Sequence, residues 1–400
     1  MHRTSLCAAA LTVVCTHALA QSPGAKSYNP DISLILQGRY KNAEHIDERH
    51  ISGFVASGHE HDSGRGFSID HTELAISGNV DPYNRGLAIF AISDGELEVE
   101  EAWFQTLALG MGLTLKGGRF LSGVGYANEQ HAHAWDFADQ SLMYRVLFGE
   151  HLRQDGVQMR WLAPTRSYFE LGAEIARGQF FPGSEEGGDR NGAGIAAVFA
   201  RTGGDVGESQ SWRAGVSYLA AQPRDRQGHF HDLNDVEAHT GFTGDSKAWI
   251  ADFVWKWAPE GNPTQRNFKF QAEYFQRKES GELFCEDNTA DGGACTGLTE
   301  PYRSTQSGWY AQGAFRFMPR WRVGYRYDWL DSGSVEYGAN PIEAVNYKPT
   351  RHSIMLDYSP SEFSRFRLQL AQDKSMQGVT DDQVIVQYVH SLGAHGAHRF

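Results

Sequence analysis

From residue 31 onward the chain repeats one unit: about ten residues in which apolar and polar side chains alternate, followed by a break. A period of two places one class on each face of a strand. Trp249, Ala251, Phe253, Trp255 and Trp257 share one face, with Asp252 and Lys256 on the other. Phe268, Phe270, Ala272 and Tyr274 oppose Lys269, Gln271 and Glu273; Trp321, Val323, Tyr325, Tyr327 and Trp329 oppose Arg322, Arg326 and Asp328. The pattern predicts sixteen strands: 31–42, 65–79, 86–93, 96–107, 112–120, 155–162, 167–177, 192–201, 211–221, 247–257, 267–277, 307–317, 320–330, 351–358, 364–372 and 383–392. It is less clean over 65–107, where Asp70, Glu73 and Glu98 to Glu101 interrupt the alternation and leave the register open. A soluble sandwich would hide aromatics of this size between two sheets. Here the polar face is charged on strand after strand, which suits a water-filled lumen with the aromatic face on lipid. The predicted class is all-β, a transmembrane antiparallel β-barrel of about sixteen strands.

Connection lengths agree. Residues 80–85, 108–111, 163–166, 259–264, 318–319 and 359–363 form short turns carrying Pro, Gly or Asn, whereas 43–64, 178–191, 222–246, 278–306 and 331–350 are long. Short periplasmic turns on one rim and long outer loops on the other belong to outer-membrane barrels. The connection over 121–155, the third outer loop, is unusual. It concentrates His131, His133, His151, Trp135, Asp136 and Asp139 beside an apolar run from Leu142 to Phe148. A loop that long in a compact protein is functional or disordered, and this one is too aromatic for disorder. It is expected to fold into the barrel, narrow the pore and present ligands, with Trp135, Asp139 and His151 at the constriction.

The ends set the compartment. His2 and Arg3 precede an apolar run from Leu6 to Val14, and Ala18-Leu19-Ala20 resembles a cleavage site. Residues 1–20 read as a secretory signal peptide, 21–30 as a periplasmic leader and 31–400 as the barrel. The aromatic Phe400 matches the assembly signal of such barrels. With Cys7 and Cys15 in the signal, Cys285 and Cys295 are expected to form a disulfide in an oxidising compartment. The net charge of −13 argues against a nucleic-acid partner. Lipid, lipopolysaccharide and a small solute or metal ion are the expected partners, and a homotrimer is compatible with the class.

Histidine placement is the sharpest chemical signal. Three outer connections carry an H-x-H: His59 and His61 with Asp62, His131 and His133 with Asp136 nearby, and His229 and His231 with Asp232. In an extended backbone such a pair presents both imidazoles to one side, and a carboxylate completes the N/O set that zinc and related divalent ions accept. The bland alternative is that exposed loops tolerate His. No cofactor is required; zinc or another divalent cation is the candidate bound ion. A second set, Arg160, Arg213, Arg316, Arg322, Arg326, Arg365 and Arg367, falls on the lumen face beside acidic residues. Rings of basic side chains set anion preference in pores, and mixed charges give a transverse field. Neither G-x-S-x-G nor H-E-x-x-H is present, so no enzymatic activity is expected.

The runs VDPYNRGLAIFAI, VEEAWFQTL, GLTLKGGRFLSGVGYANEQHAHAWDFAD, DGVQMRWLAP and FELGAEIARGQFFPG resemble plugless outer-membrane porins of the porin O/P-like, phosphate-selective superfamily. That group includes siderophore porins and zinc-regulated proteins labelled TonB-dependent receptors. The resemblance covers residues 31–183 and implies a sixteen-stranded barrel whose third outer loop folds inward. It implies that His131, His133, Trp135 and Asp136 lie at or near the constriction. The receptor label requires a plug of over a hundred residues, and about ten separate Gln21 from the first strand. Transport is therefore expected to be passive. The expected function is an outer-membrane channel for a small solute, a divalent metal or metal chelate captured by His-rich outer loops. The alternatives are a general or anion-selective porin and a non-conducting surface-binding barrel.

Overall fold

The computed structural model describes residues 30–44, 50–55, 64–69, 71–93, 96–185 and 191–393. The signal, the leader up to residue 29, His59, His61, Asp62 and Phe400 lie outside the described residues.

Eighteen strands form one sheet. The first half comprises β1 (Asp31–Ala43), β2 (Gly66–Ile69), β3 (Thr72–Asn79), β4 (Asn84–Ser93), β5 (Glu96–Thr106), β6 (Leu113–Leu121), β7 (Arg153–Leu162), β8 (Tyr168–Ala176) and β9 (Ile195–Val206). The second comprises β10 (Gln210–Ala221), β11 (Arg226–His231), β12 (Glu237–Trp257), β13 (Asn267–Cys285), β14 (Leu298–Met318), β15 (Trp321–Glu336), β16 (Thr350–Ser361), β17 (Ser364–Lys374) and β18 (Asp381–Gly393). Each pairs antiparallel with its neighbours, and β18 returns to β1 from Ser33↔Gly393 to Ala43↔Gln383, which closes the barrel. β2 and β3 lie in line along β1, and β10 and β11 lie in line along β12, leaving sixteen staves. Each of the sixteen overlaps a strand predicted from alternation, several running well beyond the predicted bounds. Closure removes the unpaired edge that a sheet cannot leave exposed in lipid.

The alternation sorts the faces as expected. Outward on β12 are Trp249, 55% exposed, and Phe253, 40% exposed, while Ile250, Asp252 and Val254 between and beside them are buried inside. No helix among the described residues is long and apolar enough to cross a membrane; strands do the crossing.

Parts of three stretches read as loops are strands, residues 331–336 at the end of β15 among them. Residues 237–246 belong to β12, and 278–285 with 298–306 belong to β13 and β14, so β11 to β14 rise together above the rim as a crown. Gly and Asp in these segments hide the period-two signal from sequence. The crown has a small core of its own, in which Phe242, Leu283, Tyr302 and Ile342 pack around the Cys285–Cys295 disulfide. Inside the barrel, the third outer loop carries the helix α1 (Leu142–Phe148). Six of its seven residues are buried, against an unusual apolar patch of the inner wall: Leu219, Ile250, Phe275 and Leu330. Ile51 and Phe54 of the first outer loop join this cluster, so residues 50–55 also turn inward.

Candidate constriction site

The third outer loop crosses the lumen because each side meets a different kind of wall. Its apolar helix meets the apolar patch, and its polar backbone meets carboxylates that project inward. Glu273 on β13 accepts from the backbone N–H groups of Tyr126 (2.8 Å) and Ala127 (3.0 Å) and from the Tyr144 hydroxyl (2.8 Å). Asp328 on β15 accepts from the Leu142 N–H at 3.0 Å, at the start of α1. Gly125 makes this approach possible. Its φ of +68° is left-handed, and a Cβ there would sit 2.3 Å from the Tyr144 hydroxyl.

Asp136 and Asp139 tie the loop to the later staves. Asp136 accepts from Lys269 (2.9 Å), Gln312 (3.1 Å) and Arg322 (2.6 Å). Asp139 accepts from Arg326 (2.8 Å), Gln369 (2.9 Å) and Arg351. Burial alone would raise both pKa values; Lys269 and Arg322 hold Asp136, and Arg351 and Arg326 hold Asp139, well below the usual carboxylate range. Arg365 donates to the His133 carbonyl at 2.7 Å and Arg367 to the Trp135 carbonyl at 3.0 Å. Four residues of the expected lumen ladder, Arg322, Arg326, Arg365 and Arg367, are therefore loop anchors. Arg160 also holds the loop, through Glu129, and with Arg213 lines a cavity of about 1270 Å³ beneath it, while Arg316 stands half-buried on β14. Arg213 lies 4.7 Å over the Tyr126 ring.

The opposite wall is acidic. Glu73 on β3 and Glu100 and Glu101 on β5 are all buried. Two consecutive side chains cannot share a face in a regular strand. Here the β4–β5 register jumps from Ile89↔Glu101 to Phe90↔Val99, so Glu100 is the extra residue of a β-bulge and both glutamates turn inward. That bulge is why the alternation over 96–107 fails in sequence. His131 enters this pocket: Nε2 lies 3.0 Å from Glu101, and Nδ1 lies 3.2 Å from Glu100 and 3.8 Å from Glu73. His133 stacks on His131 with ring centroids 5.8 Å apart, and its Nδ1 lies 2.8 Å from Glu73. Burial would lower the His131 pKa, but Glu100 and Glu73 overcome it and hold the ring well above its ordinary value.

The expected ligand groups are thus regrouped. Asp136 is committed to Lys269 and Arg322 and is no partner of His131. Asp232 is spent within its turn, where it accepts from the N–H groups of Asn234, Val236 and Ala294 and from Asn288. His231 pairs with Asp235 at 3.0 Å. His229 instead lies 3.0 Å from Glu237 and 4.6 Å, centroid to centroid, from His239, its direct cross-strand partner. Among the described residues two groups bring three ligand atoms within 4.8 Å: exposed His229, Glu237 and His239 on the crown, and Glu73, Glu100 and His131 at the constriction. Trp135, Asp139 and His151 do not line the cavity. Trp135 and His151 pack on each other at 5.2 Å and support the loop from behind.

No family model matches the chain. It is 32% identical, over 398 residues, to an uncharacterized protein of Aquifex aeolicus (strain VF5), covering 94% of this chain and 81% of that one. Among solved structures it is similar to a loop L8 deletion mutant of OmpT, an outer membrane protein of Vibrio cholerae, with TM-score 0.56, 11% identity and coverage of 91% and 99%. Pseudomonas putida OprB gives a TM-score of 0.54 at 13% identity, covering 91% of this chain and 94% of that one. An anion-selective porin from Comamonas acidovorans gives 0.53 at 10% identity, with 91% and 99% covered. At these identities the likeness is one of fold.

Proposed function

From a chain that belongs to the same family as the Aquifex aeolicus protein, and that is a porin-type barrel of the bacterial outer membrane, we propose passive passage of a small solute through a pore narrowed by the third outer loop. The proposed solute is a divalent metal ion of the zinc class, or a small chelate of one, met first on the crown. The observation that carries this is the exposed His229, Glu237 and His239 group. Two imidazoles and a carboxylate on one face of a hairpin are a donor set suited to borderline ions. Planar-bilayer recordings under a zinc gradient test it. A reversal potential showing zinc permeation, with zinc sensitivity weakened in His229→Ala/His239→Ala, supports the reading. Zinc exclusion with conductance indifferent to the metal sinks it.

A second reading is favoured by one side of the cavity wall, where Arg85, Arg213 and Lys256 face the same space as Arg160 and Lys269, which are paired with Glu129 and Asp136, and as the carboxylates of Asp31, Glu170 and Asp205. Such a wall draws anions. Chloride preference in a potassium chloride gradient, together with zinc indifference, selects this reading.

A further inference from the structure

We propose that the acidic wall of the constriction is a second divalent-metal site, with Glu73, Glu100 and His131 as ligands and Glu101 orienting the imidazole. It requires no passage of metal through the pore, so it stands apart from the transport reading.

Three observations converge on it. The first is the spacing. Zinc bonded to N and O at about 2.0–2.1 Å places its ligand atoms about 3.3 Å apart. His131 Nδ1 lies 3.2 Å from Glu100 Oε1 and 3.8 Å from Glu73 Oε2. The second is what these atoms lack. Glu100 is 3% exposed, and its Oε2, the carboxylate oxygen that does not face His131, is buried and has no hydrogen-bond partner. A buried carboxylate oxygen left without a partner is costly, and a cation at that point satisfies it. The third is the outer support. Metal-bound imidazoles pass their other N–H to a carboxylate, which fixes the tautomer and ring plane. Glu101 stands 3.0 Å from His131 Nε2 in that role, and His133 Nδ1 holds Glu73 Oε1 at 2.8 Å, leaving Oε2 for the metal.

The donor chemistry selects the ion. One imidazole and two carboxylates suit zinc, cobalt, nickel or manganese, whereas calcium takes oxygen ligands. Glu73 and His131 line the cavity, so the metal keeps an entry path and an open position for water. Mechanically the site would hold the loop to β3 and β5, the side facing away from the Asp136 and Asp139 anchors.

The test uses the full-length barrel carrying His229→Ala/His239→Ala, which removes the crown ligands. The protein is stripped with chelator and equilibrated with zinc or cobalt(II); heat-modifiable gel migration reports that the barrel is folded. The expected result is about one metal per chain, with visible cobalt absorption of low-symmetry coordination. Adding Glu100→Gln, which keeps shape and removes charge, should lower affinity by at least about tenfold, and His131→Asn should abolish the cobalt spectrum. Folded background protein that retains no metal overturns the proposal, as does binding unchanged by both substitutions. A channel that excludes zinc in bilayers yet binds it here fails the transport reading alone.

Discussion

Asp139 Oδ1, in the inward loop, accepts a hydrogen bond from Nη2 of Arg326 at 2.8 Å across 187 residues of sequence. Arg351 and Gln369 meet the same carboxylate, so β15, β16 and β17 converge on one side chain. Removing one partner of a buried pair leaves the other uncompensated and costs about 3–5 kcal/mol. Asp139→Asn should therefore loosen the loop without opening the barrel, giving larger and noisier single-channel conductance. Conductance equal to wild type would show that the loop is held without this carboxylate.

Acid should act on the loop through His151. Burial pushes its pKa down from 6.5 to about 4, against the pull of Glu100 and Glu150, and its Nε2 has no hydrogen-bond partner. The folded value lies below the unfolded one, so the neutral ring's contribution is complete above pH 6.5 and is lost as pH falls toward about 4. Current fluctuations should rise over that window in wild type and stay flat in His151→Leu. The same rise in both proteins would assign the response to another group.

The crown and the channel should separate under reduction. The Cys285–Cys295 link closes a loop with a sequence separation of 10, worth roughly 2–4 kcal/mol to local stability. Cys285→Ser/Cys295→Ser should speed proteolysis within 286–294 and leave open-channel conductance in potassium chloride unchanged. A matching loss of conductance would mean the crown supports the pore.

The outward face of β12 gives a check on the lipid boundary. Phe253→Arg places a guanidinium among hydrocarbon tails and should reduce folding stability by about 2–4 kcal/mol, measured by denaturant titration in lipid vesicles. Asp252→Asn, one residue away and inside, should respond to lumen salt instead.

The staves were legible because each faces lipid on one side and a polar interior on the other, so period two survives wherever the strand is regular. It failed where geometry departs from that rule. Glu100 and Glu101 lie side by side on one face because of a bulge, and no pattern of residue types announces an extra residue in a ladder. The crown strands were missed because Gly241, Gly244, Asp245 and Gly281 break their alternation, so Phe242 and Leu283 stand alone and do not continue an apolar face. The inward loop was recognisable from its length and its aromatic and imidazole content. Its partners were not, since Glu73, Arg326 and Gln369 reach it from staves far apart in sequence. The described H-x-H imidazoles meet carboxylates other than their neighbours in sequence, because cross-strand register and not chain proximity decides which carboxylate each ring meets.

The anchors of the inward loop carry a consequence for biogenesis. Asp136 and Asp139 sit on the sixth connection from the amino end, but their guanidinium partners lie on β15 and β16, among the last staves to be made. A barrel lacking the staves from β15 onward would leave Asp139 with nothing to receive it and Asp136 with Lys269 and Gln312 alone. The aperture can therefore take its final width only when the carboxy-terminal staves arrive, and the seam and the gap it encloses are completed together. An assembly intermediate stalled before that step would be a wide and leaky one.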